Sequence, residues 1–177
     1  MHGKGNDDDL AAVSGGGRYR RVEVNRVVRA PIQRVWRAIT DPDEVRRWWA
    51  TGDIEAREGG RVHLEGDGDC GPDAIPLDGR IKVCLAPHVF EFTWNEAYDP
   101  AEGLVRFDLV EVDDATTLVT VVNLVPVRDV VEAAVGWHVL MDRLRECASG
   151  AAAAVPDAGR LQALRAWYEG STAAAVT

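Results

Sequence analysis

Apolar and charged residues alternate imperfectly over residues 19–29, where valines are interspersed among charges. Such an alternation predicts a half-buried strand. Pro31 follows at a position that a first helical turn tolerates, and from Ile32 to Ile39 apolar residues recur at intervals of three and four. This spacing predicts a short amphipathic helix with one buried face.

The start signal of a second helix follows at once. Asp41 is typical of an N-cap, Pro42 takes the first helical position, and Glu44 stands three residues after the cap. These signals predict another short helix, which ends near Trp48 and Trp49.

Beyond Gly52 the period of the pattern shortens to two, which is typical of strands with one buried face. Six segments are predicted as strands: 53–57, 60–66, 79–86, 88–95, 103–112 and 117–125. Short connections favour an antiparallel meander, because parallel strands need long crossovers. The connection 66–79 is longer and rich in turn residues, so it is either a mobile flap at the sheet edge or an ordinary exposed loop.

A helical period returns over residues 127–148 and is the longest in the chain. The residues predicted on its apolar face are Ala133, Trp137, Leu140, Met141, Leu144 and Cys147. Gly150 through Pro156 interrupt the pattern, and Asp157 can cap a final amphipathic helix. The element order predicts an α+β fold, in which a curved antiparallel sheet of about seven strands wraps around the long C-terminal helix.

The same pattern divides the chain into three parts. Residues 1–17 are rich in Gly and Asp without periodicity, which predicts a disordered leader. Residues 18–150 are predicted to form one domain, since the 177-residue chain fits one domain better than two. Residues 151–177 are predicted to form a linker and a short C-terminal helix.

The charge and the residue types exclude several classes of partner. A net charge of -9 argues against nucleic acid or an anionic membrane surface as the partner. The apolar runs are far shorter than the ~20 residues that span a bilayer, and the first residues lack a secretory signal, so we expect a cytoplasmic protein without membrane insertion. Three widely spaced cysteines and isolated histidines give no ligand spacing, so we expect no metal and no cofactor.

Four motifs carry a family resemblance: VRAPIQRVWRAITDPDEVRRWW, FEFTW, TTLVTVVNL and AAVGWHVLMDRL, in this order. Together they resemble the bacterial single-domain proteins similar to the C-terminal domain of the Hsp90 ATPase activator. Those proteins belong to the START-like (SRPBCC) helix-grip superfamily. The resemblance covers about residues 20–148 and implies a hydrophobic tunnel between the sheet and the long helix.

Strand parity and this resemblance together define the candidate ligand-binding residues. Phe90, Phe92 and Trp94 share one face of a strand, which we predict to face inward. The same parity and the facing helix add Val62, Leu64, Ile81, Val83, Val105, Phe107, Leu109, Trp137, Leu140 and Met141. Any sheet that packs on a helix has an apolar inner face, so a filled core remains the alternative to a cavity. Gly136 is expected to let the helix backbone approach the sheet closely.

Few titratable groups accompany these apolar residues. Asn123 shares the parity of the inward valines and is the polar candidate; the alternative is an amide bonded to backbone. The leading hypothesis is therefore the binding of a hydrophobic or aromatic small molecule, with no assigned reaction. The resemblance implies two alternatives: a polyketide cyclase or dehydratase using Asn123, His138 and Arg61, or a module that binds a chaperone as the Hsp90 co-chaperone does. The acidic charge argues against the chaperone partner.

Overall fold

The computed structural model describes residues 10–65, 76–95 and 103–174. Its strands form one eight-stranded antiparallel sheet in the order β1-β2-β8-β7-β6-β5-β4-β3. The strands are β1 (Ala12–Ser14), β2 (Tyr19–Val28), β3 (Thr51–Ile54), β4 (Arg61–Glu65), β5 (Leu77–Leu85), β6 (Val89–Thr93), β7 (Leu104–Asp113) and β8 (Thr116–Pro126). The predicted flap 66–79 lies outside the described residues apart from 76–79.

Four α-helices accompany the sheet in the described part of the chain: α1 (Ile32–Thr40), α2 (Pro42–Val45), α3 (Val130–Ala148) and α4 (Ala158–Ala174). The predicted cap of α2 is confirmed, because the Asp41 side chain accepts from the Asp43 amide at 3.0 Å. Asp157 likewise accepts from the Arg160 amide at 2.8 Å at the start of α4. With 17 residues, α4 is longer than the short helix that the sequence predicts.

The sheet has one strand more than predicted, because β1 lies within the segment expected to be a disordered leader. Ala12 pairs with Glu23 and Ser14 with Arg21, so β1 extends the sheet beyond β2. Ala11, just before β1, is buried. The expectation of disorder through residue 17 is therefore wrong for β1. A three-residue strand is too short to show a periodicity, and its pairing with β2 is a long-range contact.

Two sets of elements cover the concave face of the sheet. The long helix α3 packs on β2 and β8. The short helix α1 contacts β7 and β8, and α2 contacts β3. The predicted α+β architecture, with the long helix gripped by the sheet, is thus confirmed. The core lies between the sheet and these helices.

A register shift in β5 corrects one predicted inner-face residue. Ile81 pairs with Phe92, but after the shift Val83 pairs with Glu91 and Cys84 pairs with Phe90. An extra residue in one strand reverses the alternation beyond it, so Val83 turns away from the helix side. Cys84 takes its place against the core.

The expected role of Gly136 is also wrong. Among the described residues, a β-carbon added at Gly136 would meet nothing within 4 Å beyond its chain neighbours and its own helix backbone. Gly136 is therefore not the point where α3 closely approaches the sheet. A close backbone contact occurs within the sheet instead, between β5 and β6. A β-carbon added at Gly79 of β5 would collide with the carbonyl oxygen of Thr93 of β6.

Candidate functional site

A cluster of aromatic rings fills the space between the sheet and the helices. Its members come from α1, the turn after α2, the region of β6, β7 and α3: Trp36, Trp48, Trp49, Phe90, Phe92, Trp94, Phe107 and Trp137. Each ring lies within 6.5 Å, centroid to centroid, of at least one other. Tilted and edge-to-face arrangements at such separations are favourable, because the positive edge of one ring meets the negative face of another.

Trp137 on α3 is the centre of this aromatic cluster. Its ring centroid lies 5.4 Å from that of Trp49, 5.8 Å from Phe107 and 6.4 Å from Trp94. The side chain is buried, and its Nε1 donates to Oδ1 of Asn123 at 2.9 Å. Trp137 therefore projects into the space between the sheet and α3, as its place on the predicted apolar face of this helix indicates.

Asn123 on β8 uses both ends of its amide inside the protein. Its Oδ1 accepts from Trp137, and its Nδ2 donates to the carbonyl oxygens of Leu104 at 3.0 Å and Leu124 at 3.4 Å. The alternative weighed for this residue, an amide bonded to backbone, thus describes its Nδ2. Its role is to hold the Trp137 indole in place.

Three tryptophans of the cluster were not among the predicted site residues. Trp48 is fully buried and donates from Nε1 to the Ala38 carbonyl at 2.8 Å. Trp49 contacts Phe92 at 6.3 Å, and Trp36 on α1 contacts Phe90 at 6.1 Å. The adjacent Trp48 and Trp49 were the available signal, but a turn after a short helix has no period that would show which way they point.

Solvent reaches the cluster at two of its rings. Trp36 and Trp94 are partly exposed, whereas the other six rings are buried. Trp94 lies at one end of the cluster, next to Trp49 and Trp137. Its ring centroid is 5.9 Å from that of Trp49 and 6.4 Å from that of Trp137. One hydrogen bond holds its indole, from Nε1 to the Pro76 carbonyl at 3.1 Å.

Apart from Val83, the predicted site residues fall into two groups according to their burial. Those buried on the inner face or on α3 are Val62, Leu64, Ile81, Phe90, Phe92, Val105, Phe107, Leu109, Asn123, Trp137 and Met141. Trp94 and Leu140 are partly exposed and pack against the core. Ring contacts join the aromatic members, whereas Val62 and Leu64 lie on β4, beside the edge strand β3.

Arg61 and His138, the other two polar residues considered for catalysis, are engaged away from the cluster. Arg61 lies on the outer face and makes two hydrogen bonds to Asp78, at 2.8 Å and 3.0 Å. These bonds hold the pKa of Asp78 below its ordinary value. His138 bonds through Nδ1 to the Tyr168 hydroxyl at 3.0 Å, next to α4.

Metal ligation finds no support in residues 10–65, 76–95 and 103–174. No group of three or more His, Cys, Asp and Glu side chains in these ranges could hold a metal ion. The Cys147 thiol donates to the Arg47 carbonyl oxygen at 3.5 Å, and burial raises the pKa of the Cys84 thiol. Across the same ranges, every helix is too short or too polar to span a bilayer.

Comparison with known structures identifies the fold. The conserved protein of unknown function EF2215 from Enterococcus faecalis shares 16% identity at a TM-score of 0.71, over 92% of this chain and 90% of its own. CalU16 from Micromonospora echinospora shares 24% identity at a TM-score of 0.67, over 91% of this chain and 93% of its own. DynU16, from the dynemicin biosynthetic locus, shares 24% identity at a TM-score of 0.61, over 75% of this chain and 49% of its own.

No curated protein matches the chain. A family model does match it, over residues 29–149, which comprise the whole span from α1 to the end of α3. The aromatic cluster lies within this span, whereas β1 and α4 lie outside it. The chain therefore belongs to the family described as Activator of Hsp90 ATPase homolog 1-like protein (AHSA1), within the START-like helix-grip superfamily.

Proposed function

We propose that the protein binds an apolar or aromatic small molecule against the aromatic cluster, between the sheet and α3, with no assigned reaction. The observation that carries this proposal is the position of Trp94, which is partly exposed and in ring contact with the buried Trp49 and Trp137. A flat ligand that takes the place of the Trp94 ring would contact the same two indoles.

Ligand entry at Trp94 requires a smaller rearrangement than displacement of Trp137. Moving Trp94 breaks one hydrogen bond, a net cost of about 1 kcal/mol. Moving Trp137 instead would break its bond to Asn123 and remove a buried ring from its contacts with Trp49 and Phe107. Of these two rings, Trp94 is therefore the one expected to move.

The polar atoms around the cluster indicate the class of ligand. The indole N–H groups of Trp48, Trp94 and Trp137 all donate within the protein, and both ends of the Asn123 amide are bonded. A ligand held here gains affinity from apolar area and ring contacts. We therefore expect a neutral aromatic or polycyclic molecule to bind more tightly than a charged one.

The test combines native mass spectrometry of freshly purified protein with a titration by anthraquinone, a neutral polycyclic probe. We expect a retained small molecule or, failing that, quenching of tryptophan fluorescence and a higher melting temperature, because a ligand selective for the folded state stabilises it. Because the ligand takes the place of the Trp94 ring, Trp94→Ala should tighten binding about fivefold, since the hydrogen bond from Trp94 to Pro76 no longer has to be broken. Trp167→Ala is the matched control, because Trp167 lies on α4 against Tyr168.

Two results would overturn the binding proposal. One is the absence of both a retained molecule and any shift of the melting curve with anthraquinone. The other is equal binding by the parent and by Trp94→Ala, which would place the ligand elsewhere. In either case the cluster would be a filled core.

Binding is preferred to catalysis on the positions of the polar residues. A cyclase or dehydratase would need buried polar groups that polarise a substrate carbonyl. Asn123, His138 and Arg61 are engaged by Trp137, Tyr168 and Asp78 respectively.

The family match favours one second candidate, a chaperone-interaction module. The family description names an activator of the Hsp90 ATPase, and its model covers residues 29–149. The measurement is the ATPase rate of a bacterial Hsp90 with and without the protein. Stimulation would support this candidate, and an unchanged rate with no recovery of the chaperone in a pull-down would exclude it.

A further inference from the structure

The hydroxyl group of Tyr168 joins the two ends of the chain. Tyr168 lies on α4 and is fully buried. Its hydroxyl oxygen accepts a hydrogen bond from the backbone N–H of Ala11 at 2.8 Å, just before β1, and bonds to Nδ1 of His138 on α3 at 3.0 Å. One atom thus connects residues that are 157 positions apart in the sequence with the helix between them.

A buried charge lies beside this junction. Arg26 of β2 stands on the inner face of the sheet, in register with Val119, and its side chain is 0% exposed. Its Nε donates to Asp142 Oδ1 at 2.8 Å, and its other nitrogens donate to the carbonyls of Asn25 at 2.8 Å and His138 at 3.4 Å. A buried guanidinium is tolerated only when it is paired and hydrogen-bonded in this way.

The terminal helix takes part in this ion pair as well. Arg160 of α4 donates to Oδ2 of Asp142 at 2.8 Å, and Arg145 of α3 donates to Oδ1 at 3.1 Å. The charges of Arg26 and Asp142 also act on the Tyr168 hydroxyl group. Burial raises the pKa of its hydroxyl most, the Ala11 N–H and the charge of Arg26 oppose that rise, and Asp142 adds to it.

The apolar contact of the two terminal elements rests on few residues: Ala11 and Tyr168 are buried, and Val13 and Leu164 pack partly buried against the core. β1 has three residues and lies at the sheet edge. On α4, Leu161 and Trp167 remain 37% and 42% exposed although Tyr168 is buried. Such elements belong to the low end of local stability, where segments open without global unfolding.

We propose that β1 and α4 form one clasp, joined by the Tyr168 hydroxyl, that opens and closes as a single cooperative unit over the Arg26–Asp142 ion pair. The clasp consists of residues 11–14 and 158–172. Both parts lie outside the span that the family model matches. Opening of the clasp gives water access to the Arg26 side chain, which is 0% exposed in the closed state.

The shared bond makes the coupling reciprocal. When α4 leaves, the Ala11 N–H loses its acceptor, and when residue 11 leaves, the buried Tyr168 oxygen loses a donor. The penalty for an unmet buried hydrogen bond therefore acts on both segments. By linkage, opening of β1 favours opening of α4 by the same factor as opening of α4 favours opening of β1.

Amide hydrogen exchange of the full chain tests the clasp. Tyr168→Phe keeps the ring and removes the hydroxyl, so we expect amides of residues 11–14 and of α4 to exchange about tenfold faster, while those of β7 and β8 keep their rates. Arg165→Gln is the matched control. It removes the ion pair from Arg165 of α4 to Glu132 of α3, which is exposed and contributes little, so exchange in both segments should stay close to that of the parent.

The reverse experiment starts from the other end of the chain. Ala11→Pro removes the donor N–H, and we expect it to speed exchange in α4 by a similar factor. Faster exchange in α4 without a change at residues 11–14 in Tyr168→Phe, or unchanged α4 exchange in Ala11→Pro, would overturn the proposal. Equal acceleration in β7 and β8 would also overturn it, because the ends would then belong to the global folding unit.

Discussion

Two neighbouring residues of α3 border two different kinds of interior. Trp137 points into the aromatic cluster, where its ring contacts Trp49, Trp94 and Phe107. His138, one residue on, points to the network of Tyr168, Asp142 and Arg26 on the other side of the helix. The first interior depends on apolar area, which scarcely responds to pH, and the second depends on charges and directed bonds.

This difference fits the two roles that we propose for the two sides of α3. The aromatic side allows small movements of rings, because ring contacts persist over a range of angles and distances. The polar side is closer to all-or-none, since a buried charge or hydroxyl is costly as soon as a partner leaves. We therefore assign ligand binding to the first side and a two-state opening to the second.

Truncation at the centre of the aromatic side should have the largest effect. We expect Trp137→Ala to lower the free energy of unfolding by about 3 to 5 kcal/mol, because it removes a buried ring and leaves a cavity. Urea denaturation gives the value. Trp137→Phe, which retains a ring but loses the bond to Asn123, should cost less, and an unchanged midpoint for Trp137→Ala would refute its central position.

Loss of charge on the polar side should come next. Asp142→Asn leaves the Arg26 guanidinium buried without its counter-ion, at an expected cost of about 3 kcal/mol in unfolding free energy. The matched comparison is Asp78→Asn, which breaks the exposed pair with Arg61 and should lower the unfolding free energy far less than Asp142→Asn does. Equal losses in the two variants would mean that the Arg26 pair is hydrated.

The pH dependence distinguishes the two sides of α3 directly. Burial raises the pKa of Tyr168 above its ordinary value of 10.0 in the folded protein. Above that pH the unfolded chain releases the proton while the folded chain keeps it, so stability present below pH 10 is lost as the pH rises toward the folded pKa. Tyr168→Phe lacks this loss and should be about 1 to 2 kcal/mol less stable than the parent at pH 8.

The gap between Tyr168→Phe and the parent should narrow as the pH rises above 10. Urea denaturation of both proteins at stepped pH values checks this expectation. Trp137→Phe, a variant on the aromatic side, should differ from the parent by a constant amount over the same range. A gap that widened above pH 10 would contradict the raised pKa.

The smallest expected effect lies on α3 between these two sides. Gly136→Ala should raise the free energy of unfolding by as much as about 1 kcal/mol, because alanine favours a helix interior and the added methyl meets no described atom beyond its own helix and chain neighbours. Thermal unfolding is sufficient to measure it. A loss of stability would instead indicate that the helix backbone needs glycine at this position.

Local patterns determined much of this protein. The order of the elements, the caps at Asp41 and Asp157, and the inward parity of Phe90, Phe92 and Phe107 could all be read from the chain. Each depends on residues within a turn or a strand of one another, and the periods of 3.6 and 2 record such neighbours directly.

Only the tertiary structure decided the rest. Arg26 shares the parity of the buried Val24 and Val28, but a charged residue is not expected on an inner face. Its burial depends on Asp142, a partner that lies 116 residues away in the sequence. The bulge that turns Val83 outward likewise depends on how β5 pairs with β6. So do the strand β1 and the junction at Tyr168, because a short segment becomes ordered only through partners that are distant in sequence, which its own period does not record.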